Sequence, residues 1–234
     1  MNIALVLAGG TGSRLGADTP KQYLRVDGRM IISYCLKTLF DSEYIDAVWI
    51  VAEEDWHDII RQELSDGRLD AGKLRGFSLP GENRQLSIYN GLCDIRRIAD
   101  TDAAVFIHDA ARPLLTEALI DRCFGALAGH DGVMPVLPMK DTVYLSENGT
   151  AVSSLLKRET VFAGQAPELF VLDRYFEACR ALLPDKILRI NGSTEPAIMA
   201  GMDIVMVPGD ERNFKITTHA DLERFSKYIE ENGM

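Results

Sequence analysis

Short apolar runs alternate with amphipathic stretches through the first 140 residues, and this alternation limits the fold more than any other feature of the chain. Residues 3–7, 47–51 and 103–107 have the length and apolar content of buried strands. Residues 31–39, 56–64, 85–98 and 116–127 carry apolar side chains at helical spacing. Residues 77–79 and 132–136 are further strand candidates. Strands separated by helices need crossover connections, and crossovers give parallel pairing. The predicted class is α/β: a mostly parallel twisted sheet flanked by helices on both faces.

The pattern changes after residue 140. Residues 142–145 and 151–156, joined by the turn Ser146-Glu147-Asn148-Gly149, predict a β-hairpin arm over 139–160. Such an arm suits contact with a second subunit, and a solvent-exposed flap is equally consistent with it. A helix over 172–183, a strand over 204–207 and a helix over 219–231 complete the reading. No repeat, low-complexity tract or linker interrupts it, so 1–234 is read as one domain embellished by the arm.

The first strand breaks into Ala8-Gly9-Gly10-Thr11-Gly12-Ser13-Arg14, followed by Pro20-Lys21-Gln22. Small residues there let backbone N–H groups approach phosphate oxygens, while Arg14 and Lys21 bring fixed positive charge. A tight structural turn is an equally open reading of the glycines alone. No Lys follows Gly12, which excludes a P-loop, and Leu15 stands where a dinucleotide fingerprint needs its third glycine. Other polar segments follow the remaining strands: 80–87, 108–113, 140–142 and 209–217. In an open parallel sheet these share the carboxyl-end rim, where ligands bind. Arg14, Lys21, Arg84, Arg112 and Lys215 are therefore placed to converge on one anion. Asp109 and Arg112, three apart after a buried strand, suit either a ligand site or a structural ion pair.

The chain has 25 Lys and Arg against 35 Asp and Glu, a formal net charge of −10, which argues against a nucleic-acid or anionic-membrane surface. Its four cysteines form no Cys-x-x-Cys pair, and neither a signal peptide nor a membrane span is read from the sequence, so a cytoplasmic location is expected. No His-Glu-x-x-His or nucleophile-triad order points to a hydrolase or zinc site.

Seven motifs in order then mark a resemblance. They are Leu-Ala-Gly-Gly-x-Gly-x-Arg (7–14), Pro-Lys-Gln-Tyr-Leu (20–24), 81–92, His-Asp-Ala-Ala-Arg-Pro (108–113), Asp-Thr (141–142), Gly-Gln-x-Pro-x-x-Phe (164–170) and Asn-x-Lys-Ile-Thr-Thr-x-x-Asp-Leu (213–222). Together they resemble the cytidylyltransferases of sugar-alcohol phosphates, which include enzymes for 2-C-methyl-D-erythritol 4-phosphate and for ribitol 5-phosphate. The resemblance implies a Rossmann-like nucleotidyltransferase fold and a homodimer formed through the β-arm. It implies CTP bound at Leu7, Ala8, Gly9, Gly10, Gly12, Gly81, Glu82, Ser87 and Ala110. Arg14, Lys21, Arg158 and Lys215 would be catalytic, and Asp109, Arg112, Thr142, Arg158 and Lys215 would bind the polyol phosphate. Mg2+ would be held mainly by CTP phosphates, with Asp109 its protein partner.

Two departures fall on the acceptor side. The family usually reads Gln-Thr-Pro-Gln where this chain has Gln165-Ala166-Pro167-Glu168, and a usual Thr-Asp-Asp/Ala segment is replaced within 190–196. The expected acceptor is 2-C-methyl-D-erythritol 4-phosphate, with ribitol 5-phosphate or a related polyol or sugar phosphate for a surface polymer as the alternative. A catalytically dead nucleotide-binding module and a dinucleotide-dependent oxidoreductase are the competing readings from other classes. The intact Arg14, Lys21, Asp109 and Lys215 argue against the first, and the missing third glycine against the second.

Overall fold

The computed structural model describes residues 1–10, 19–65, 70–100 and 102–233. Strand β1 (Asn2–Leu7) lies inside the sheet, hydrogen-bonded in parallel to β4 (Ala47–Val51) and to β6 (Ala104–Asp109). β4 pairs in parallel with β5 (Leu74–Ser78). The helices α1 (Ile31–Asp41), α2 (His57–Leu64) and α3 (Arg84–Ile95) form the crossovers that parallel pairing requires. A two-residue hairpin, β2 (Arg25–Val26) with β3 (Arg29–Met30), precedes α1.

Side-chain alternation divides the core into two layers. Ala4, Val6, Val48, Ile50 and Phe106 face α1 and α4 (Glu117–Ala126), where they meet Leu36, Leu39, Ile120 and Cys123. Ile3, Leu5, Val51, Val105 and Ile107 face α3 and α5 (Leu172–Arg180), where they meet Ile88, Leu92, Tyr175 and Cys179. A strand buried on both faces reads as a continuous apolar run, which is why 3–7 and 103–107 are so plain in the sequence. Gly91 on α3 lets the helix lie against β1, since a Cβ there would stand 2.6 Å from a Leu5 methyl.

The sheet is mixed rather than purely parallel on its far side. β7 (Gly132–Pro138) does not lie against β6; β11 (Glu168–Val171) runs between them, antiparallel to both. β10 (Phe162–Gly164) pairs antiparallel with β7, and β12 (Ile204–Pro208) pairs with it in parallel. β10 and β11 are too short to show alternation. α6 (Glu195–Met199) follows the 190–194 loop. α7 (His219–Asn232) closes over Ile31, Tyr34, Leu114 and Ile216 through Phe225 and Ile229, and opens with a Thr218–Asp221 capping box.

The arm is a true hairpin, with β8 (Tyr144–Leu145) antiparallel to β9 (Ser154–Leu155). The Asn148 side-chain oxygen accepts from the amides of Thr150 and Ala151, closing the turn at Gly149. Tyr144, Leu145, Val152 and Leu155 all stand exposed on the arm. Helices 85–98 and 172–183 are shorter in the structure than in the sequence reading. Thr116 stands at the N-cap of α4 without a side-chain hydrogen bond, whereas Asn83 caps α3 by accepting from Leu86 N at 2.8 Å.

His108, on β6, is fully buried. Its Nε2 donates to Arg112 O at 2.9 Å, which fixes the neutral tautomer, and burial pulls its pKa down to about 4. The unfolded chain takes up that proton near pH 6.5 and the folded chain does not. His108 therefore contributes stability that is complete above about pH 6.5 and is lost as pH falls toward 4. Chemical denaturation across this window is predicted to show a destabilisation of up to about 1.4 kcal/mol per pH unit that is missing from His108→Gln.

Candidate active site

The carboxyl ends of β1, β5 and β6 open onto one cleft of about 460 Å3. Leu7, Gly9, Gly10, Lys21, Gly81, Glu82, Ser87, Asp109 and Lys215 line it, together with Gln22, Glu53, Asn83, Arg84 and Ala111. Its walls come from sequence segments up to about two hundred residues apart, held by identifiable bonds.

On one side the chain leaves β1 under close restraint. Gln22 donates its side-chain amide to Ala8 O at 2.6 Å and to Gly10 O at 2.8 Å, and the Tyr23 hydroxyl donates to Ala8 O at 2.9 Å. Tyr23 in turn stacks on Trp56, with ring centroids 3.8 Å apart. This clamp sets the start of the glycine-rich loop and presents Lys21, at the head of the short turn Lys21–Tyr23, to the cleft. A Cβ on Gly9 would come within 2.5 Å of Pro80 Cβ, so the two loops approach closely only because residue 9 has no side chain. Gly81 N–H donates to Ser87 Oγ, and that hydroxyl donates to Asn83 O at 2.8 Å. Ser87 thus shapes the 80–84 loop as well as lining the cleft.

On the other side sits Asp109, whose side chain is 9% exposed. Arg84 Nε donates to its Oδ1 at 3.1 Å, Lys215 Nζ lies 3.0 Å from Oδ2, and Arg112 Nε lies 3.5 Å from Oδ2. Burial alone would raise the Asp109 pKa, but Arg84, Lys215 and Arg112 outweigh it and hold the carboxyl well below the usual carboxylate range. Arg112 is not the main partner of Asp109; its Nη1 donates to Asn213 O at 2.8 Å. The loop carrying Lys215 is stitched down by Ile216 N to Ala111 O at 2.8 Å. Gln165 bonds both Asp210 O and Asp210 N, and Asn213 donates to Ala166 O.

The structure therefore brings ten of the sequence-derived residues to one cleft, Arg84 among them. Ala8 and Ala110 are buried beside it, and Ala110 N–H donates to Leu7 O at 3.0 Å. Arg112 lies behind Asp109. Thr142 and Arg158 sit on the exposed arm, outside this cleft, with Arg158 Nη1 donating to Lys140 O. Gly12 and Arg14 lie outside the described residues. Gln22, Gln165 and Asn213 were written in the motifs, but their bracing of the loops was not apparent without the fold.

As a metal ligand Asp109 does not fit, because both its oxygens already face cations. Among the described residues no group of three or more His, Cys, Asp or Glu side chains could hold a metal ion.

The family described as 2-C-methyl-D-erythritol 4-phosphate cytidylyltransferase (IspD) matches residues 2–231 of this chain. A ribitol-5-phosphate cytidylyltransferase of Vibrio parahaemolyticus is 33% identical, covering 98% of this chain and 96% of that protein. A 2-C-methyl-D-erythritol 4-phosphate cytidylyltransferase of Rubrobacter xylanophilus is 35% identical over 94% of this chain and 91% of its own length. The solved 4-diphosphocytidyl-2C-methyl-D-erythritol synthase of Anaerococcus prevotii has a TM-score of 0.81 at 24% identity, covering 98% of this chain and 96% of that one, and so shares the fold. With the family matched almost end to end, the chain belongs to the 2-C-methyl-D-erythritol 4-phosphate cytidylyltransferase family of nucleotidyltransferases.

Proposed function

We propose that this protein transfers the cytidylyl group of CTP to a sugar-alcohol phosphate and releases pyrophosphate. The observation that carries the reading is a single cleft with Lys21 and the glycine loop on one wall and Asp109 with Lys215 on the other. The loop wall suits a nucleoside triphosphate, which enters as its Mg2+ complex, the metal being part of the substrate. The 80–87 loop would hold the cytosine base, largely through backbone groups. The Asp109 wall suits a polyol phosphate, with carboxylate for hydroxyls and ammonium for phosphate.

Two polyanions must approach each other in such a reaction. The acceptor phosphate attacks the α-phosphorus in line, a P–O bond forms, and the bond to the β-phosphate oxygen breaks as pyrophosphate leaves. The nucleophile is already an anion, so no side chain has to take a proton. Lys21 and Arg14 would neutralise charge on the triphosphate and Lys215 on the acceptor. His108, buried and neutral, is not in a position to act as a base.

The expected acceptor is 2-C-methyl-D-erythritol 4-phosphate. Ribitol 5-phosphate or a related polyol or sugar phosphate is the second reading, supported by the ribitol-5-phosphate relative above. We also propose a homodimer through the 139–160 arm, whose exposed Tyr144, Val152 and Leu155 would then be covered. In that assembly Thr142 and Arg158, which stand clear of this chain's own cleft, would serve the acceptor phosphate of the second copy. A cytoplasmic location is in keeping with the described residues, which include no helix long and apolar enough to cross a membrane.

Pyrophosphate release with CTP is expected with one of the two acceptors and not with ATP or GTP; release with neither acceptor contradicts the reading. Lys21→Ala is expected to lower turnover at least ~100-fold. Gln22→Ala should raise the KM for CTP several-fold, about the loss of one or two buried hydrogen bonds, while leaving the acceptor KM unchanged.

A further inference from the structure

Glu168 is an acidic group beside the cleft that the reaction above leaves without a task; burial raises its pKa, and Arg84 and the Ser193 hydrogen bond pull the other way. It opens β11 and is 9% exposed. Ser193 Oγ donates to its Oε1. Its Oε2 is buried and makes no hydrogen bond, and lies 3.8 Å from Arg84 Nη2. The same guanidinium donates through Nε to Asp109 at 3.1 Å. Arg84 thus stands between two buried carboxylates, bonded to one and about 1 Å short of a charge-assisted bond to the other.

Both oxygens of Asp109 face cations. Its Oδ1 is met by Arg84 and its Oδ2 by Lys215 and Arg112. A hydroxyl of the acceptor that donates to this carboxylate competes there with the cations already around it. Lys215 gains an alternative partner when the acceptor phosphate arrives. Arg84 has one built into the fold, the unbonded oxygen of Glu168. A carboxylate oxygen left unpaired in the interior is costly, so a buried glutamate poised beside an arginine calls for a reason beyond packing.

We infer that Glu168 is a positioning residue for acceptor recognition: it draws the Arg84 guanidinium away from Asp109 as the acceptor binds, freeing Asp109 Oδ1 to accept an acceptor hydroxyl. No proton moves and no net charge changes. Arg84 exchanges one carboxylate partner for the other, and the hydroxyl takes the vacated place. This inference rests on the reaction proposed above.

The test is the steady-state kinetics of Glu168→Gln, which keeps the shape and the Ser193 contact but removes the charge that attracts Arg84. The KM for the acceptor is expected to rise about 10-fold, the scale of one hydrogen bond to a charged group. The KM for CTP and kcat should stay within about two-fold, whereas a merely loosened fold would disturb all three. Arg84→Lys, which keeps the cation but cannot span both carboxylates, should raise the acceptor KM similarly. The double variant should show no further rise. If Glu168→Gln does not fold, Arg84→Lys decides alone by the same acceptor-specific criterion. An acceptor KM that stays within two-fold in an active enzyme, or a rise shared equally with CTP, overturns the inference and leaves the reaction standing. Absence of pyrophosphate release by the unaltered protein overturns both.

Discussion

The Asp109 carboxylate gathers cations from three separated segments: Arg84 at the start of α3, Arg112 after β6, and Lys215 before α7. A buried carboxylate is tolerable only when such partners offset its desolvation, and cations this close repel one another unless an anion sits among them. The interaction therefore works in both directions. It lets Asp109 exist at the end of a fully buried strand, and it concentrates positive charge at one rim of a chain whose formal net charge is −10.

Around that centre the fold supplies rigidity. Gln165 and Asn213 bind the 209–217 loop to the segment before β11, and Ile216 ties it to Ala111. Gln22, Tyr23 and Trp56 do the same for the opposite wall. A reaction whose catalysis is positioning and charge neutralisation needs fixed placement of a few cations more than it needs a reactive side chain. Neutral amides bracing charged loops from behind meet that need, because they add hydrogen bonds without changing the field in the cleft.

The parallel half of the sheet was legible in the sequence because its strands are buried on both faces and read as unbroken apolar runs. The reversed strand β11 was not: Glu168-Leu169-Phe170-Val171 is short and begins with a charge, so no periodicity marks it. With β11 unmarked, nothing in the sequence shows that it separates β7 from β6. The rim residues were found because each follows a strand on a polar or glycine-rich loop. The partners of Asp109 were only partly found: Arg112 is three residues away and visible, whereas the closer Arg84 and Lys215 approach through tertiary folding. Glu168 was noticed as a departure in sequence, but its relation to Arg84 exists only in three dimensions. Thr142 and Arg158 were read from the resemblance, and nothing within a single chain carries them to the cleft.

The most direct measurement is the turnover of Asp109→Asn, an isosteric change that removes the anion and keeps the three cations. If the carboxylate holds those cations in their working arrangement, kcat falls by about 100-fold or more, the KM for CTP changes little and the protein stays folded. Turnover within about five-fold of the unaltered protein, in a folded variant, would contradict the account.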